Sequence, residues 1–392
     1  MSAGQVVIVG SARTPMGAFL GELKGVSAPE LGAAAIRAAL GRAGVPSERV
    51  QEVMMGCVLS AGLGQAPARQ ASLGAGLPVS AGCTTVNKMC GSGMKAVMLA
   101  HDSLLAGTTD TFVAGGFESM SNAPFLLRKA RSGYRMGHGE LLDHMFLDGL
   151  EDAYDKGRLM GTFADDCALA YEFSRSAQDE FAIASLTRAR KAIEEGKFER
   201  EVAPVGLNDG RTARRDELPL TANLDAIPNL KPAFRKDGTV TAASSSAISD
   251  GAAALVLMRL SEAESRGVRP QARIIAHATH SQEPARFTTA PVGAIEKVLA
   301  KAGWETGDVD LFEINEAFAV VTMAAMHDLA LPYEKVNVHG GACALGHPIG
   351  ASGARILVTL LSAMEEYDLR RGVASLCIGG GEATAIAVER MT

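Results

Sequence analysis

CGSGMKAVMLAHDSLLAGTTDTFVAGG, at residues 90–116, contains the patterns of one helix and one strand in direct succession. The spacing of apolar residues over 94–105 predicts a helix that Gly107 ends. The apolar run 111–114 predicts a short buried strand, which two glycines follow. A helix that leads into a buried strand through a tight turn is typical of α/β proteins.

A similar order of features recurs near the end of the chain, at residues 351–381. There a small residue precedes Ser-Gly, residues 354–364 predict a helix, residues 373–378 predict a strand, and three glycines follow. We therefore predict a duplicated fold, in which two similar sheets pack against each other.

The rest of the chain has the same alternation. Residues 6–9 and 53–58 predict strands, and residues 28–43 predict a helix that ends at Gly44. The alternation stops over 119–245, which predicts a large insertion, and it resumes at about residue 250. Helical and strand patterns in this order favour a layered α/β fold.

Composition limits the classes of function. The chain has 392 residues, enough for two or three domains, and its net charge of −6 argues against a nucleic-acid partner. Six cysteines without a C-x-x-C pair, in a chain too long for a disulfide scaffold, favour reduced thiols and a cytoplasmic location. Met1–Gln5 contains no basic signal-peptide region, and no apolar stretch is long enough for a membrane span.

Two residues in glycine-rich segments are candidates for covalent acyl chemistry. Cys90 precedes a helix predicted to begin at about Gly91, where the helix dipole should lower the pKa of the thiol and favour the thiolate. His347 lies between Gly346 and Gly350 on a predicted turn, where an imidazole with a near-neutral pKa would act as a base. The alternatives are a buried structural cysteine and a histidine at the surface or in a structural hydrogen bond.

A second thiol and an amide complete the candidate site. Cys377 ends an apolar strand and could move a proton, while the N–H of Gly379 could stabilise an oxyanion. Asn315 follows a predicted strand over 309–314 and is either a turn residue or a holder of an oxyanion water. Cys90, Cys377 and His347 together also form a Cys₂His set, which is a known zinc ligand set, although the sequence contains no closely spaced ligand pair.

The sequence resembles the thiolase family, in the acetoacetyl-CoA thiolase-like, acetyl-CoA C-acetyltransferase group, over essentially its whole length. Several long motifs in the same order carry this resemblance. They are residues 11–15 (SARTP), 87–93 (NKMCGSG), 116–122 (GFESMSN), 315–319 (NEAFA), 340–353 (GGACALGHPIGASG) and 377–381 (CIGGG).

The resemblance implies an α/β, five-layered α-β-α-β-α fold that is built from two βαβαβαββ halves and a loop domain. Residues 1–118 with 246–268 would form the N-terminal half, residues 119–245 the CoA-binding loop domain, and residues 269–392 the C-terminal half. Resembling proteins are usually homotetramers built as dimers of dimers, and the same assembly is implied here.

The resemblance also implies roles for the site residues. Cys90 would carry the acyl group, His347 would activate it, and Cys377 would remove the α-proton of the second acyl-CoA. Asn315 would hold a water in one oxyanion hole, and the N–H groups of Cys90 and Gly379 would form the other.

Substrates and binding residues follow in the same way. Coenzyme A thioesters would be the substrates, with no tightly bound cofactor and no metal. Residues expected to contact CoA or the acyl chain are Ser246, Leu150, Met160, Phe234, Phe287, Ala317 and Phe318. Leu159, Phe287 and Ala383 depart from residues common in the family, and they bear on acyl-chain specificity.

Several functions remain open at this stage. The leading hypothesis is reversible condensation of two acetyl-CoA to acetoacetyl-CoA, with thiolysis as the reverse. The alternatives are a 3-ketoacyl-CoA thiolase of fatty-acid β-oxidation, a β-ketoacyl synthase, a non-catalytic thiolase-like lipid-binding protein, and a metal or redox thiol protein.

Overall fold

The computed structural model describes residues 4–391. Met1–Ala3 and Thr392 lie outside the described residues. The predicted N-terminal half, which begins at residue 1, the predicted C-terminal half, which ends at residue 392, and the signal-peptide prediction for Met1–Gln5 include these residues. The N-terminal elements follow the predicted alternation. They are β1 (Val6–Arg13), β2 (Gly17–Ala18), α1 (Ala28–Ala43), β3 (Glu52–Gly56), α2 (Pro67–Gly74), β4 (Gly82–Val86), α3 (Ser92–Leu105) and β5 (Thr111–Ser119).

The insertion contains short strands and two longer helices, and the central sheet resumes after it. Its elements are β6 (Phe125–Leu127), β7 (Leu141–Asp143), a π-helical turn (Phe146–Leu150), α4 (Met160–Ala170), α5 (Arg175–Glu194), β8 (Val205–Gly206), β9 (Thr212–Ala213) and α6 (Leu218–Thr221). The chain then returns through β10 (Ser249–Arg259) and α7 (Leu260–Arg266).

The C-terminal part repeats the alternation of helices and strands. Its elements are β11 (Ala272–Ser281), α8 (Ala290–Ala302), β12 (Leu311–Ile314), α9 (Ala319–Asp328), α10 (Ala342–Leu345), α11 (Ser352–Glu366), β13 (Arg371–Ile378) and β14 (Glu382–Arg390). Short 3₁₀ turns connect several of these elements.

The strand order demonstrates the duplication. The first half runs β4-β3-β5-β10-β1 and the second runs β12-β13-β14-β11, so the strands of each half follow the same order. The third strand of the second half is reduced to a parallel bridge between Val336 and Phe312. The first strands of the halves, β1 and β11, pair at Val7–Arg273 and Ile8–Ala272 and join everything into one sheet.

Helices α3 and α11 form the middle of five layers, and α1 with α2 and α8 with α9 cover the outer faces. Residues of α3 and α11 share one core with strands of both halves, whereas α1 and α8 belong to separate outer cores. The expectation that the two sheets pack directly against each other is therefore wrong. The two helices lie between them because their apolar faces need cover on both sides.

The repeated Ser-Gly pairs explain how α3 and α11 meet. A Cβ atom on Gly353 would lie 2.5 Å from the backbone nitrogen of Met94, and a Cβ atom on Gly93 would lie 2.9 Å from that of Ala354. Only glycine permits so close an approach of two helix N-termini. As a result, the residues that precede the two helices, Cys90 and His347, reach the same region.

Strand β5 extends well beyond its predicted end. The strand predicted over 111–114 continues to Ser119, through Gly115 and Gly116. A Cβ atom on Gly115 would lie 2.1 Å from the carbonyl oxygen of Ala253 on β10. These glycines therefore allow a tightly packed central strand to continue, rather than ending it.

Candidate active site

The predicted site residues converge on one cavity of about 290 Å³. Its walls are formed by the residues before α3 and α11, by the end of β13, and by residues 147–154 of the insertion. All of the predicted residues except Asn315 and Phe234 line it. Those that do are Cys90, Leu150, Met160, Ser246, Phe287, Ala317, Phe318, His347, Cys377 and Gly379.

Cys90 is held on a tight turn directly before α3. The preceding Met89 has a left-handed backbone with φ of 48°, which non-glycine residues seldom adopt. The Oγ of Ser92 donates to the Met89 carbonyl at 2.6 Å and accepts from the Lys88 N–H at 2.8 Å. These bonds fix the turn that presents Cys90 to the cavity.

The prediction that the pKa of the Cys90 thiol is lowered at the helix N-terminus is wrong. Burial raises the pKa of this thiol to about 11, and the nearby Glu118 adds to the increase. The N–H groups of Gly379 and of Cys90 itself hydrogen-bond the sulfur and offset only part of this effect. Without substrate, Cys90 is therefore a protonated thiol at neutral pH.

His347 is also neutral, and its orientation is fixed. Its Nδ1 lies 2.5 Å from the Oγ of Ser352, whose hydroxyl donates to the Pro348 carbonyl at 2.9 Å. Because that hydroxyl proton is already used, Ser352 accepts a hydrogen bond from Nδ1–H, and the lone pair of the imidazole lies on Nε2. Nε2 is buried and has no partner among the described residues.

The near-neutral pKa expected for His347 is also wrong. Burial, with a smaller effect from the cationic Arg355, lowers this pKa to about 3. Arg355 is fully buried beneath the site on α11. The imidazole is therefore unprotonated at neutral pH, with its lone pair on Nε2, and protonation of this nitrogen needs a compensating charge.

Cys377 lies at the end of β13, almost fully buried. Burial raises its pKa well above the ordinary value, and a negative charge on Cys90 raises it further. The two sulfurs are thus close enough that charge on one opposes charge on the other. Both line the same cavity.

Asn315 and Phe234 are the two predicted site residues that do not line the cavity. Asn315 is fully buried, its Nδ2 lies 3.5 Å from Nδ1 of His347, and its Oδ1 accepts from Arg355 at 3.4 Å. Phe234 packs edge to face on Phe318, with ring centroids 5.9 Å apart. Both therefore support residues that line the cavity.

The chain was compared with known proteins. The family model for the thiolase N-terminal domain matches residues 6–261, and that for the thiolase C-terminal domain matches residues 268–390. The chain belongs to the thiolase family. The five-layered duplicated fold described above is the thiolase fold.

Relatives of this thiolase include proteins named acetyl-CoA acetyltransferase from several kingdoms. The Cupriavidus necator protein is 50% identical over 390 residues, covering 98% of this chain and 99% of that protein. Acetyl-CoA acetyltransferase 2 of Arabidopsis thaliana is 51% identical over 98% of this chain and 96% of its own length. A mouse protein named mitochondrial acetyl-CoA acetyltransferase is 46% identical over 99% of this chain and 91% of its own length.

Two residues important to this thiolase site were not predicted from sequence. Ser352 orients His347, and the buried Glu118 accepts hydrogen bonds from the N–H groups of Val58, Leu59 and Gly350 at 2.9–3.0 Å. Glu118 therefore fixes the loop that carries His347 to the first half of the fold. The available signals were the position of Ser352, five residues after the histidine at a predicted helix start, and the presence of Glu118 in the motif at residues 116–122.

The zinc hypothesis for Cys90, His347 and Cys377 finds no support. Within residues 4–391, these three side chains do not bring their ligand atoms within 4.8 Å of one another. A search of the same residues for membrane spans finds no helix with sufficient length and apolar character to cross a bilayer.

Proposed function

We propose that this thiolase is an acetyl-CoA C-acetyltransferase, which reversibly condenses two acetyl-CoA molecules to acetoacetyl-CoA and free CoA. One observation carries the proposal: two thiols face a single small cavity with His347, whose Nε2 has no partner within residues 4–391. Relatives with that name, matched over nearly their whole length, give it further support. The 3-ketoacyl-CoA thiolase and lipid-binding alternatives are not favoured.

The first half-reaction transfers an acetyl group to Cys90. Its thiol proton moves to Nε2 of His347 as the sulfur forms a bond to the thioester carbon. The C–S bond to CoA then breaks, and the CoA sulfur takes the proton from Nε2. Because the free thiol and imidazole are both neutral, we propose that the bound thioester drives this transfer by accepting the developing negative charge on its oxygen.

The second half-reaction forms the carbon–carbon bond. We propose that the Cys377 thiol first gives its proton to Nε2 of His347, and that the resulting thiolate removes a proton from the methyl group of a second acetyl-CoA. This carbon then attacks the acetyl carbonyl on Cys90. The bond between that carbonyl carbon and the Cys90 sulfur breaks, the Cys90 thiolate recovers the proton from Nε2, and Cys377 remains a thiol. Because the methyl proton of acetyl-CoA is very weakly acidic, its removal requires stabilisation of the enolate oxygen as it forms.

Two oxyanion sites are proposed for these steps. The N–H groups of Cys90 and Gly379, which already point at the Cys90 sulfur, would bind the oxygen of the acyl-enzyme. Asn315 would hold a water that binds the enolate oxygen together with Nε2–H of His347, which is protonated at that stage. One such preorganised donor is worth about 3–4 kcal/mol.

The remaining assignments are also proposals. Coenzyme A thioesters would be the substrates, with no tightly bound cofactor, and the loop domain over 119–245 would cover the CoA arm. Residues proposed to contact CoA or the acyl group are Ser246, Leu150, Met160, Phe234, Phe287, Ala317 and Phe318. We further propose a homotetramer, a cytoplasmic location and a role in fatty-acid metabolism.

Intact-protein mass spectrometry after incubation with acetyl-CoA tests this function. We expect a single acetyl adduct that Cys90→Ser removes. Cys377→Ala should keep the adduct but lose condensation, because it removes only the second half-reaction. An unmodified wild-type mass would overturn the covalent mechanism, and equal loss of both steps in Cys377→Ala would overturn the assigned roles of the two thiols.

A further inference from the structure

Two histidines and an aspartate meet away from the active site, where α3 passes over β11. The Nδ1 of His101 and the Nε2 of His277 lie 3.1 and 2.8 Å from the same oxygen of Asp102. The two imidazole rings pack edge to face, with centroids 5.0 Å apart. One ligand atom from each of the three residues lies within 4.8 Å of the other two.

An irregularity in β11 brings His277 to this position. The pairing of β11 with β14 shifts between Ile274 and Ala276. Before the shift, Ala272 and Ile274 face the middle core; after it, Ala276 and Ala278 face the outer core. Side chains alternate along a strand, so the shift turns His277 towards the middle layer and α3.

We propose that His101, Asp102 and His277 form a binding site for a late first-row divalent cation such as Zn²⁺. Two imidazoles and one carboxylate are a known ligand set for this class of metal. Donor atoms around a tetrahedral zinc are about 3.3 Å apart. The two separations from the Asp102 oxygen, 3.1 and 2.8 Å, therefore need to open by only a few tenths of an ångström, and the two histidine nitrogens lie within 4.8 Å of each other. Asp102 is half exposed, which leaves a path for the ion and an open side for a water ligand.

The proposed site would connect the two halves of the fold. His101 and Asp102 belong to α3 of the first half, and His277 belongs to β11 of the second. None of the three lines the active-site cavity, and His101 is about 15 Å beyond Cys90 along α3 at a rise of roughly 1.5 Å per residue. A metal that binds the folded protein alone should raise its melting temperature.

Titration of the chelator-treated protein with ZnCl₂, monitored by calorimetry and thermal unfolding, tests the proposal. We expect one bound Zn²⁺ per chain and a higher melting temperature. Asp102→Asn and His277→Gln should each weaken binding by about 100-fold or more, since loss of an outer-shell partner alone costs about 10–100-fold. His327→Asn is the matched control, because His327 forms a similar pair with Asp328, at 2.9 Å, without a second histidine.

Cobalt distinguishes this site from the thiols. Co²⁺ bound to the proposed ligands should give weak visible bands without the strong near-ultraviolet absorption that thiolate ligands cause. Absence of stoichiometric binding, binding that persists in His101→Asn/His277→Gln, or a thiolate spectrum would overturn the proposal. Circular dichroism and condensation activity of each variant verify that it is folded.

Discussion

The Nδ1 of His347 lies 2.5 Å from the Oγ of Ser352, the first residue of the helix that follows the histidine. Because the serine hydroxyl donates to the Pro348 carbonyl, this contact fixes the proton of the imidazole on Nδ1. The other nitrogen then presents its lone pair to the cavity. Ser352 therefore decides which nitrogen of His347 is free to accept a proton.

Ser352→Ala should lower kcat for condensation by about 10- to 100-fold with little change in KM. The substitution removes one hydrogen bond to a group that becomes charged during the reaction, worth about 1.5–3 kcal/mol. Steady-state kinetics in both directions measure the effect, and Ser352→Thr, which retains the hydroxyl, should recover much of the activity.

Ser362→Ala is the matched control on the same helix. Its buried hydroxyl has no partner among the described residues, so its removal should leave kcat nearly unchanged. If both alanine variants lose activity equally, the effect is one of helix packing and Ser352 does not orient His347.

The pH dependence of Cys90 alkylation should reveal its raised pKa. Only the thiolate reacts, and its fraction rises about tenfold per pH unit below the pKa. Since burial raises the pKa of Cys90 to about 11, inactivation by iodoacetamide should accelerate from about pH 7 to pH 9 without reaching a plateau. Glutathione in parallel tubes should begin to level off near its lower pKa. A plateau for Cys90 below about pH 8 would contradict a protonated resting thiol.

Much of the fold was predictable because its signals are local. Apolar spacing predicted α1 over Ala28–Ala43, and the structure has the same bounds. There Ser27 and Glu30 form a capping box, and Gly44 adopts φ of 63° at the other end. The repeated Ser-Gly pattern likewise predicted the duplication, because each copy needs glycine for the same close contact.

The predictions that were wrong, or were not made, concern properties set by the three-dimensional surroundings of a residue rather than by its neighbours in sequence. The helix start beside Cys90 was correctly located, but the pKa of the thiol is set by burial, which a sequence does not show. The same holds for His347 and for the partners of Glu118 and Ser352. The thiols and the histidine themselves were candidates because they lie in glycine-rich segments, and motifs of the thiolase family then implied their roles.

The buried Glu118 should make stability depend on pH. Burial raises its pKa from 4.5 to about 7, although the hydrogen bonds that it accepts from backbone N–H groups lower the pKa. The folded state therefore holds this proton more tightly than the unfolded state. The stabilisation is complete below about pH 4.5 and is lost as the pH rises to about 7, by up to about 3 kcal/mol.

Glu118→Gln, which cannot titrate, tests this dependence. The free energy of unfolding of the wild type minus that of the variant should decrease as the pH rises from about 5 to 7.5. Urea unfolding at several pH values measures this difference, with Glu48→Gln at the surface as control. A difference that is constant or increases with pH would contradict the raised pKa.

Phe287 should limit the length of the acyl group. It lines the cavity with Cys377, and its ring packs edge to face on Phe163, with centroids 6.1 Å apart, so it cannot move back easily. Phe287→Leu should therefore raise kcat/KM for a branched or longer 3-ketoacyl-CoA, relative to acetoacetyl-CoA, by roughly tenfold, the effect of about one methylene of space. Thiolysis assays with both substrates measure the ratio. Phe181→Leu, a buried substitution outside the cavity, should lose stability without changing the ratio; a similar change in both variants would show that Phe287 does not set specificity.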